Sequence, residues 1–281
     1  MTIAECLKIG TEQLAAAGVA QPSREAASLL MNAISRDRTF LVSHAEYELT
    51  DAEQKTFDSH LERRRSREPF QHIVGVQEFY GLDFVVTRDV LIPRPETEQL
   101  VETAIRSLDG IESPRFCEIG VGSGCVVVSV LHELQNSSAI AVDISEEALM
   151  IGRINATNNG VADRVEFRLS DIFTSVETDK FHAILSNPPY IPASEMSGLQ
   201  AEVRDFDPTI ALTDGGDGLS IVSRIICDAP GFLLPKGYLI LEIGIGQDAD
   251  VRRMFGAELW REVEILDDLQ GIPRTVIARL K

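Results

Sequence analysis

The chain has 281 residues, and a prior of about 150 residues per domain gives two domains with a real core. Hydrophobic residues make up 44% of it and charged residues 25%, which excludes a mainly disordered or fibrous chain. Its 44 acidic and 26 basic side chains leave a net charge of -18, which argues against binding nucleic acid through phosphates, because that mode needs a basic face.

The first 70 residues read as helices. Thr2 with Glu5 has capping-box spacing, followed by apolar Ile3, Leu7 and Leu14 and a stop at Gly18. Ser23 is placed to cap a second helix carrying Ala26, Leu29, Leu30, Ala33 and Ile34. Thr50 with Glu53 repeats the capping box ahead of Phe57 and Leu61, in a helix expected to end before Pro69. These residues form domain 1–70, a small bundle with 11 acidic and 9 basic side chains, against 33 and 17 in the rest, so the acidity belongs to the second domain. Arg63, Arg64, Arg65 and Arg67 are the one basic cluster. Consecutive residues fan around a helix and cations suit its C-terminus, so a solvated helix end is preferred to a partner contact.

Residues 71–90 turn extended, His72 to Gly75 and then Phe79 to Val86, and predict a strand pair around a Gly turn as a β-hairpin linker. Domain 91–281 opens with Ile92 to Glu98, where Pro95 suits a first helical turn and Glu96 and Glu98 its positive end. Strands are predicted at 115–119, 139–143, 165–169, 182–186, 238–243, 263–266 and 275–280, with helices at 125–134, 146–158, 219–232 and 247–255. Such alternation implies an α/β fold whose mainly parallel sheet is covered on both faces, with ligands at the carboxyl ends of its strands. No run approaches the roughly 20 apolar residues of a membrane span, and the first residues lack a secretory pattern, so the expected location is cytoplasmic. Cys6, Cys117, Cys125 and Cys227 have neither Cys-x-x-Cys nor paired His spacing, which fits reduced thiols and no metal.

The chemistry concentrates at four strand ends. Glu118, Gly120, Val121, Gly122, Ser123 and Gly124 form a Gly-rich turn that lets backbone N–H groups approach a ligand. The dinucleotide fingerprint is not met: started at Gly120 or Gly122, its third glycine falls on Cys125 or Val127. Asp143 ends the next strand, where an acid can accept from both hydroxyls of a ribose, although it can also simply precede a helix capped by Ser145. Asp171, followed by Ile172, is placed to read an adenine amino group, with a turn-forming Asp nearly as good a reading. The most specific feature is Asn187-Pro188-Pro189-Tyr190 after the apolar strand Ala183 to Leu185, an amide on a backbone held by two prolines beside an aromatic face. His72, Trp260 and Glu242 read as structural, and the Gly- and Asp-rich loop 205–218 as a shaper of the substrate entrance.

With these motifs the chain resembles the class I S-adenosylmethionine-dependent methyltransferases that carry Asn-Pro-Pro-Tyr, and most closely the HemK (PrmC) family of release factor glutamine methyltransferases. The resemblance runs along essentially the whole chain and includes Arg94-Pro95-Glu96-Thr97-Glu98, which favours the release-factor branch over enzymes acting on a ribosomal protein. It implies a Rossmann-like domain behind a helical domain that docks the substrate. By resemblance, 120–124 with Glu118 hold the methionine part of S-adenosyl-L-methionine, Asp143 its ribose, Asp171 and Ile172 the adenine region, with Asn187 also at the cofactor. Asn187 to Tyr190 would hold the substrate glutamine of a Gly-Gly-Gln motif, with Asn187, Pro188 and Tyr190 catalytic. The family often has a bulkier aromatic at Ile172, so only backbone and apolar contacts carry over there. The implied partner is a release factor, with a monomeric enzyme and no direct nucleic-acid binding. An alternative, methylation of the exocyclic amino group of a nucleic-acid base, meets the same planar amine but needs a basic groove or target-recognition insert, and neither is visible. A binding module with a vestigial cofactor fold is disfavoured by the intact motifs.

Overall fold

A computed structural model describes residues 1–281. In chain order it lays down α1 (Ile3–Ala16), α2 (Pro22–Ile34), α3 (Arg38–Ser43), α4 (Asp51–Arg65), α5 (Phe70–Val74), β1 (Val76–Phe79), β2 (Leu82–Val85), α6 (Glu98–Leu108), β3 (Arg115–Ile119), α7 (Cys125–Glu133), β4 (Ser138–Asp143) and α8 (Glu146–Asn158). Next come β5 (Val165–Leu169), β6 (Phe181–Ser186), α9 (Ala201–Arg204), α10 (Thr209–Leu212), α11 (Ser220–Asp228), β7 (Leu233–Glu242), α12 (Asp248–Met254), β8 (Trp260–Asp267) and β9 (Pro273–Leu280). Packing divides the chain into two units, Met1–Val76 with Gln200–Phe206, and Gln77–Leu199 with Asp207–Lys281. No helix is long and apolar enough to cross a membrane.

In the helical unit both capping boxes form: the Thr2 and Thr50 hydroxyls accept from the backbone N–H of Glu5 and Glu53, whose carboxylates accept in return from the cap backbones. Helix α2 differs from expectation. Pro22, which has no N–H to leave unpaired, takes its first position behind Gln21, and Ser23 falls inside the helix rather than capping it. The expected extended run from Gln71 is also replaced by helix α5. Phe70 and Ile73 share a face and pack into the helical core, and Gly75 in the left-handed region ends the turn, so burial overrides the strand preference of the Ile-Val pair.

The arginine cluster is not a solvated helix end. Phe57, Leu61 and Arg64 fall on one buried face of α4, and Arg64 is only 4% exposed. Its guanidinium donates to Glu25 at 3.1 Å and to Glu202 at 3.1 Å. Arg67 grips Glu202 with two hydrogen bonds of 2.7 and 2.6 Å, and Arg63 binds Glu68. Arg65 stays at the surface, paired with exposed Glu62, and the Arg63 side chain is also partly exposed. Glu202 thus holds residues 200–206 within the helical unit.

In the larger unit seven strands run in the order β5-β4-β3-β6-β7-β9-β8, all neighbours parallel except the pairs made by β9. Alternation along the strands buries both faces: Phe116, Ala141 and Leu185 join one core with α6 and α7, while Cys117, Val142 and Ile184 join another with α11. The hairpin β1–β2 starts at Val76, and its Phe79 and Phe84 are fully buried in the first core. Asn155 on α8 accepts from Val85 N–H at 2.7 Å and donates to the carbonyls of Val85 and Ser123 at 2.9 Å each, tying the hairpin to the Gly-rich turn.

Burial tends to raise the Glu202 carboxyl, but Arg67, then Arg64, together with a backbone N–H, bring it down to about 2. A folded-state value below the unfolded one, about 4.3, means the native state binds fewer protons. The stabilisation is therefore complete above about pH 4.5 and is lost as the pH falls toward about 2. Thermal melts across pH should show Glu202→Gln less stable than wild type at pH 6 and the gap closing below pH 4; a gap unchanged down to pH 3 contradicts the ion-pair account.

Candidate active site

Strand order reverses between β3 and β6, and the crevice there opens at the carboxyl ends of β3, β4 and β6. It holds a cavity of about 360 Å³. Of the residues singled out in the sequence, Glu118, Gly120, Val121, Gly122, Ser123, Asp143, Asp171, Ile172, Asn187 and Pro189 line it, joined by Arg94, Thr97, Ile144 and Arg224. Gly124, Pro188 and Tyr190 are not on its wall.

The Gly-rich turn is pinned from β4. Gly120 and Val121 N–H both donate to the Val142 carbonyl at 2.9 and 3.0 Å, and Gly122 N–H donates to the Asp143 carboxylate at 2.9 Å. Gly124 has φ +79° and a Cβ there would stand 3.3 Å from the Gly152 Cα, so the start of α7 lies against α8 glycine to glycine. Beneath the turn, buried Glu118 accepts from Val127 N–H at 2.8 Å. Burial pushes its carboxyl well above the ordinary range despite that bond.

Asp143 accepts from Gly122 and, at 3.0 Å, from Ser145 N–H, while Ser145 also caps α8. The helix-start reading of Asp143 is thus realised, and its oxygens retain lone pairs that a ligand hydroxyl could use. Burial raises this carboxyl, and the N–H groups of Gly122, Ser145 and Ile144 pull it back. Asp171 is half exposed and paired with Arg224 at 2.9 Å. Ile172 has φ +52°, which for a β-branched residue costs about 1–3 kcal/mol. Ser170 holds the strained turn by donating to the Ile172 carbonyl and accepting from Ser175 N–H, both at 3.0 Å.

At the end of β6, Ser186 donates to the Ile119 carbonyl at 2.8 Å, fastening the strand to β3. Asn187 Nδ2 donates to Thr97 Oγ1 at 3.1 Å, Thr97 Oγ1 donates to Glu242 Oε2 at 2.7 Å, and the Tyr190 hydroxyl donates to Glu242 Oε1 at 3.0 Å. Glu242 is only 2% exposed. Burial raises its carboxyl, against the pull of the Thr97 and Tyr190 hydroxyls and Arg274. Burial first, and Glu242 second, push the Tyr190 phenol far above its ordinary value, so it remains a neutral donor.

The Tyr190 carbonyl accepts from Gln247 Nε2 at 2.9 Å, and Gln247 Oε1 accepts from Gly244 N–H at 2.8 Å. Asp214 accepts from the N–H groups of Gly216, Gly218 and Ser220, and the chain after Tyr190 bonds back to this loop through Ile191 to Leu212 and Ala193 to Gly216. The loop expected to shape an entrance therefore also clamps the motif. Arg94 donates to Asp207 at 2.6 Å, and burial lifts the Asp207 carboxyl to about 6 against that pull. Thr97, Glu242, Gln247 and Asp207 are site residues to which sequence reasoning assigned no individual role; the available signals were Thr97 in the 94–98 stretch, Asp207 in the 205–218 loop and Glu242 at a strand end.

Two family models match: PrmC N-terminal domain over residues 5–75 and methyltransferase small domain over residues 97–203. Among solved structures, the catalytic domain of hMettl16, crystallised with an RNA hairpin, aligns with a TM-score of 0.57 at 16% identity over 72% of this chain and 76% of that one. A methyltransferase from Pyrococcus furiosus aligns at 0.51 and 18% identity over 72% and 90%, so the fold is shared. Fold, crevice and matched domain together define a methyltransferase. Proteins of Cereibacter sphaeroides and Koribacter versatilis, each named release factor glutamine methyltransferase, are 41% and 37% identical, over 100% and 99% of this chain and 99% of each relative. The chain belongs to the release factor glutamine methyltransferase family.

Gly218 has φ +78°, and a Cβ there would fall 2.1 Å from the Tyr190 carbonyl oxygen and 3.1 Å from Gln247 Nε2. Gly218→Ala should lower stability by at least about 1–3 kcal/mol in a chemical-denaturation experiment and lose most methyl transfer. Wild-type stability with wild-type turnover would contradict the clamp.

Proposed function

We propose that the enzyme transfers the methyl group of S-adenosyl-L-methionine to the side-chain amide nitrogen of the glutamine in the Gly-Gly-Gln motif of a release factor. The observation that carries this reading is the Asn187 amide, held by Thr97 at the end of β6 on the wall of the same cavity as Asp143. The names of the full-length relatives support it.

The cavity suits the cofactor. Its volume of about 360 Å³ lies within the usual range for small-molecule sites, its carboxylates suit a ligand with a cationic amine and ribose hydroxyls, and half-exposed Ile144 offers an apolar surface beside Asp143. The Gly-rich turn from Gly120 to Gly124, braced by Glu118, would hold the methionine portion, Asp143 the ribose, and Asp171 and Ile172 the adenine region. The bound cofactor supplies an electrophilic sulfonium methyl group.

A carboxamide nitrogen is a poor nucleophile because its lone pair is delocalised, so the enzyme's task is to aim it. Asn187 Oδ1 and the Pro188 carbonyl accept from its two N–H groups, while Pro189 and Tyr190 shape the pocket for the side chain. Holding reacting atoms about 3–3.5 Å apart supplies roughly 7–11 kcal/mol of the barrier reduction. No strong base is required beforehand, since the nitrogen becomes acidic only as it gains the methyl group. The charge of -18 disfavours direct nucleic-acid binding.

Incubation with methyl-labelled cofactor should label a release factor and not a form whose Gly-Gly-Gln glutamine is replaced. Equal labelling of both, or labelling of nucleic acid, contradicts the assignment. Asn187→Ala should reduce turnover at least about 100-fold while cofactor affinity, measured by calorimetry, changes little; near-normal turnover removes Asn187 from the mechanism.

A further inference from the structure

The ends of the Asn187 side chain are nearly equal in size, so packing alone does not decide which one meets the substrate; hydrogen bonding does. We propose that Thr97 and Glu242 are positioning residues that set the polarity of the Asn187 amide, turning its nitrogen inward and leaving its oxygen to receive the substrate. The inference rests on the reading that Asn187 binds the glutamine amide.

The order of donors is set by the chemistry of each group. In its ionised form, which the Thr97 and Tyr190 hydroxyls and Arg274 favour against the effect of burial, Glu242 can only accept, and its two oxygens receive one hydroxyl each, from Thr97 at 2.7 Å and from Tyr190 at 3.0 Å. A hydroxyl has one proton, and Thr97 spends it on Glu242. Toward Asn187, then, Thr97 can only accept, and the group 3.1 Å away is Nδ2. Reversing the amide would set Oδ1 against a hydroxyl oxygen with no proton to give, and would turn an NH₂ group toward the NH₂ group of the substrate. The same carboxylate places both ends of the Asn187 to Tyr190 motif.

Thr97 and Glu242 are both buried, so the route from carboxylate to amide is shielded from water that would otherwise exchange partners. Thr97 lies in the turn Pro95–Thr97 and Glu242 ends β7, so two elements distant in sequence converge on the motif. Arg274, Arg94, Glu96 and Cys125 are other titratable groups that act on this cluster.

The test compares Thr97→Val, Thr97→Ser, Glu242→Gln and Asn187→Ala in the full chain, measuring kcat and KM on a release factor, cofactor Kd by calorimetry, and thermal stability. Valine keeps the shape of threonine without its hydroxyl, and glutamine can donate where glutamate only accepts. Thr97→Val and Glu242→Gln should each lower kcat about 100-fold with cofactor Kd unchanged, and Thr97→Ser should recover the rate to within a few-fold of wild type. Equal loss in Thr97→Val and Thr97→Ser, or wild-type kcat in Thr97→Val, overturns the inference. If Thr97→Val does not fold, Glu242→Gln decides by the same criteria. A dead Asn187→Ala beside a fully active Thr97→Val defeats this inference alone, whereas an active Asn187→Ala defeats the underlying reading and this inference with it.

Discussion

Strand β3 pairs in parallel with β4 on one side and β6 on the other, and the site depends on that arrangement. Crossovers between parallel strands are right-handed, so connections that proceed outward on either side of β3 lie on opposite faces of the sheet and leave a crevice between them. The Gly-rich turn, Asp143 and Asn187 all sit at strand ends bordering that crevice. The register places Ile119 beside both Val142 and Ser186, and the short-range bonds from Gly120, Val121 and Ser186 convert this register into fixed positions for the ligand-facing groups. Were a neighbouring strand to slip by one residue, its side chains would exchange faces and the constellation would be lost.

Buried and partly buried carboxylates perform most of the local construction. Glu118 braces the start of α7, Asp143 ties the Gly-rich turn to α8, Asp207 holds Arg94, and Glu242 gathers the hydroxyls of Thr97 and Tyr190. A buried carboxylate is costly unless donors surround it, which makes it directional: each one dictates which neighbouring groups point at it. The acidity of the larger domain therefore has an internal part as well as a surface part. The total charge bears on partners, and these internal carboxylates bear on geometry.

Local signals were legible wherever one residue's chemistry settles the backbone. Both capping boxes, Pro95 in its first turn, the Gly-rich turn and the alternation of strands and helices beyond residue 114 are of this kind, and the strands formed close to where the pattern placed them. Readings failed where a distant contact outweighed a local preference. Helix α5 formed from an Ile-Val sequence because Phe70 and Ile73 found a core to enter, and Arg64 turned inward because Glu25 and Glu202 were there to receive it. The helical spacing of Arg64 with Phe57 and Leu61 carried a hint of the second case, but its partner Glu202 lies far along the chain.

The sequence alone determined the α/β class, the helical N-terminal region, the family and the residues at the four strand ends, because periodicity, glycine and proline spacing and the Asn-Pro-Pro-Tyr motif are properties of contiguous residues. Only the tertiary structure decided how those residues are held. It joined Asn187 to Thr97 and Glu242, locked the Tyr190 carbonyl with Gln247 against Gly218 and Gly244, and drew residues 200–206 into the helical unit. The physical reason is that a buried hydrogen bond or ion pair is chosen by which groups folding brings within about 3 Å of one another in the absence of water, and that proximity is a property of the packed chain rather than of any one segment.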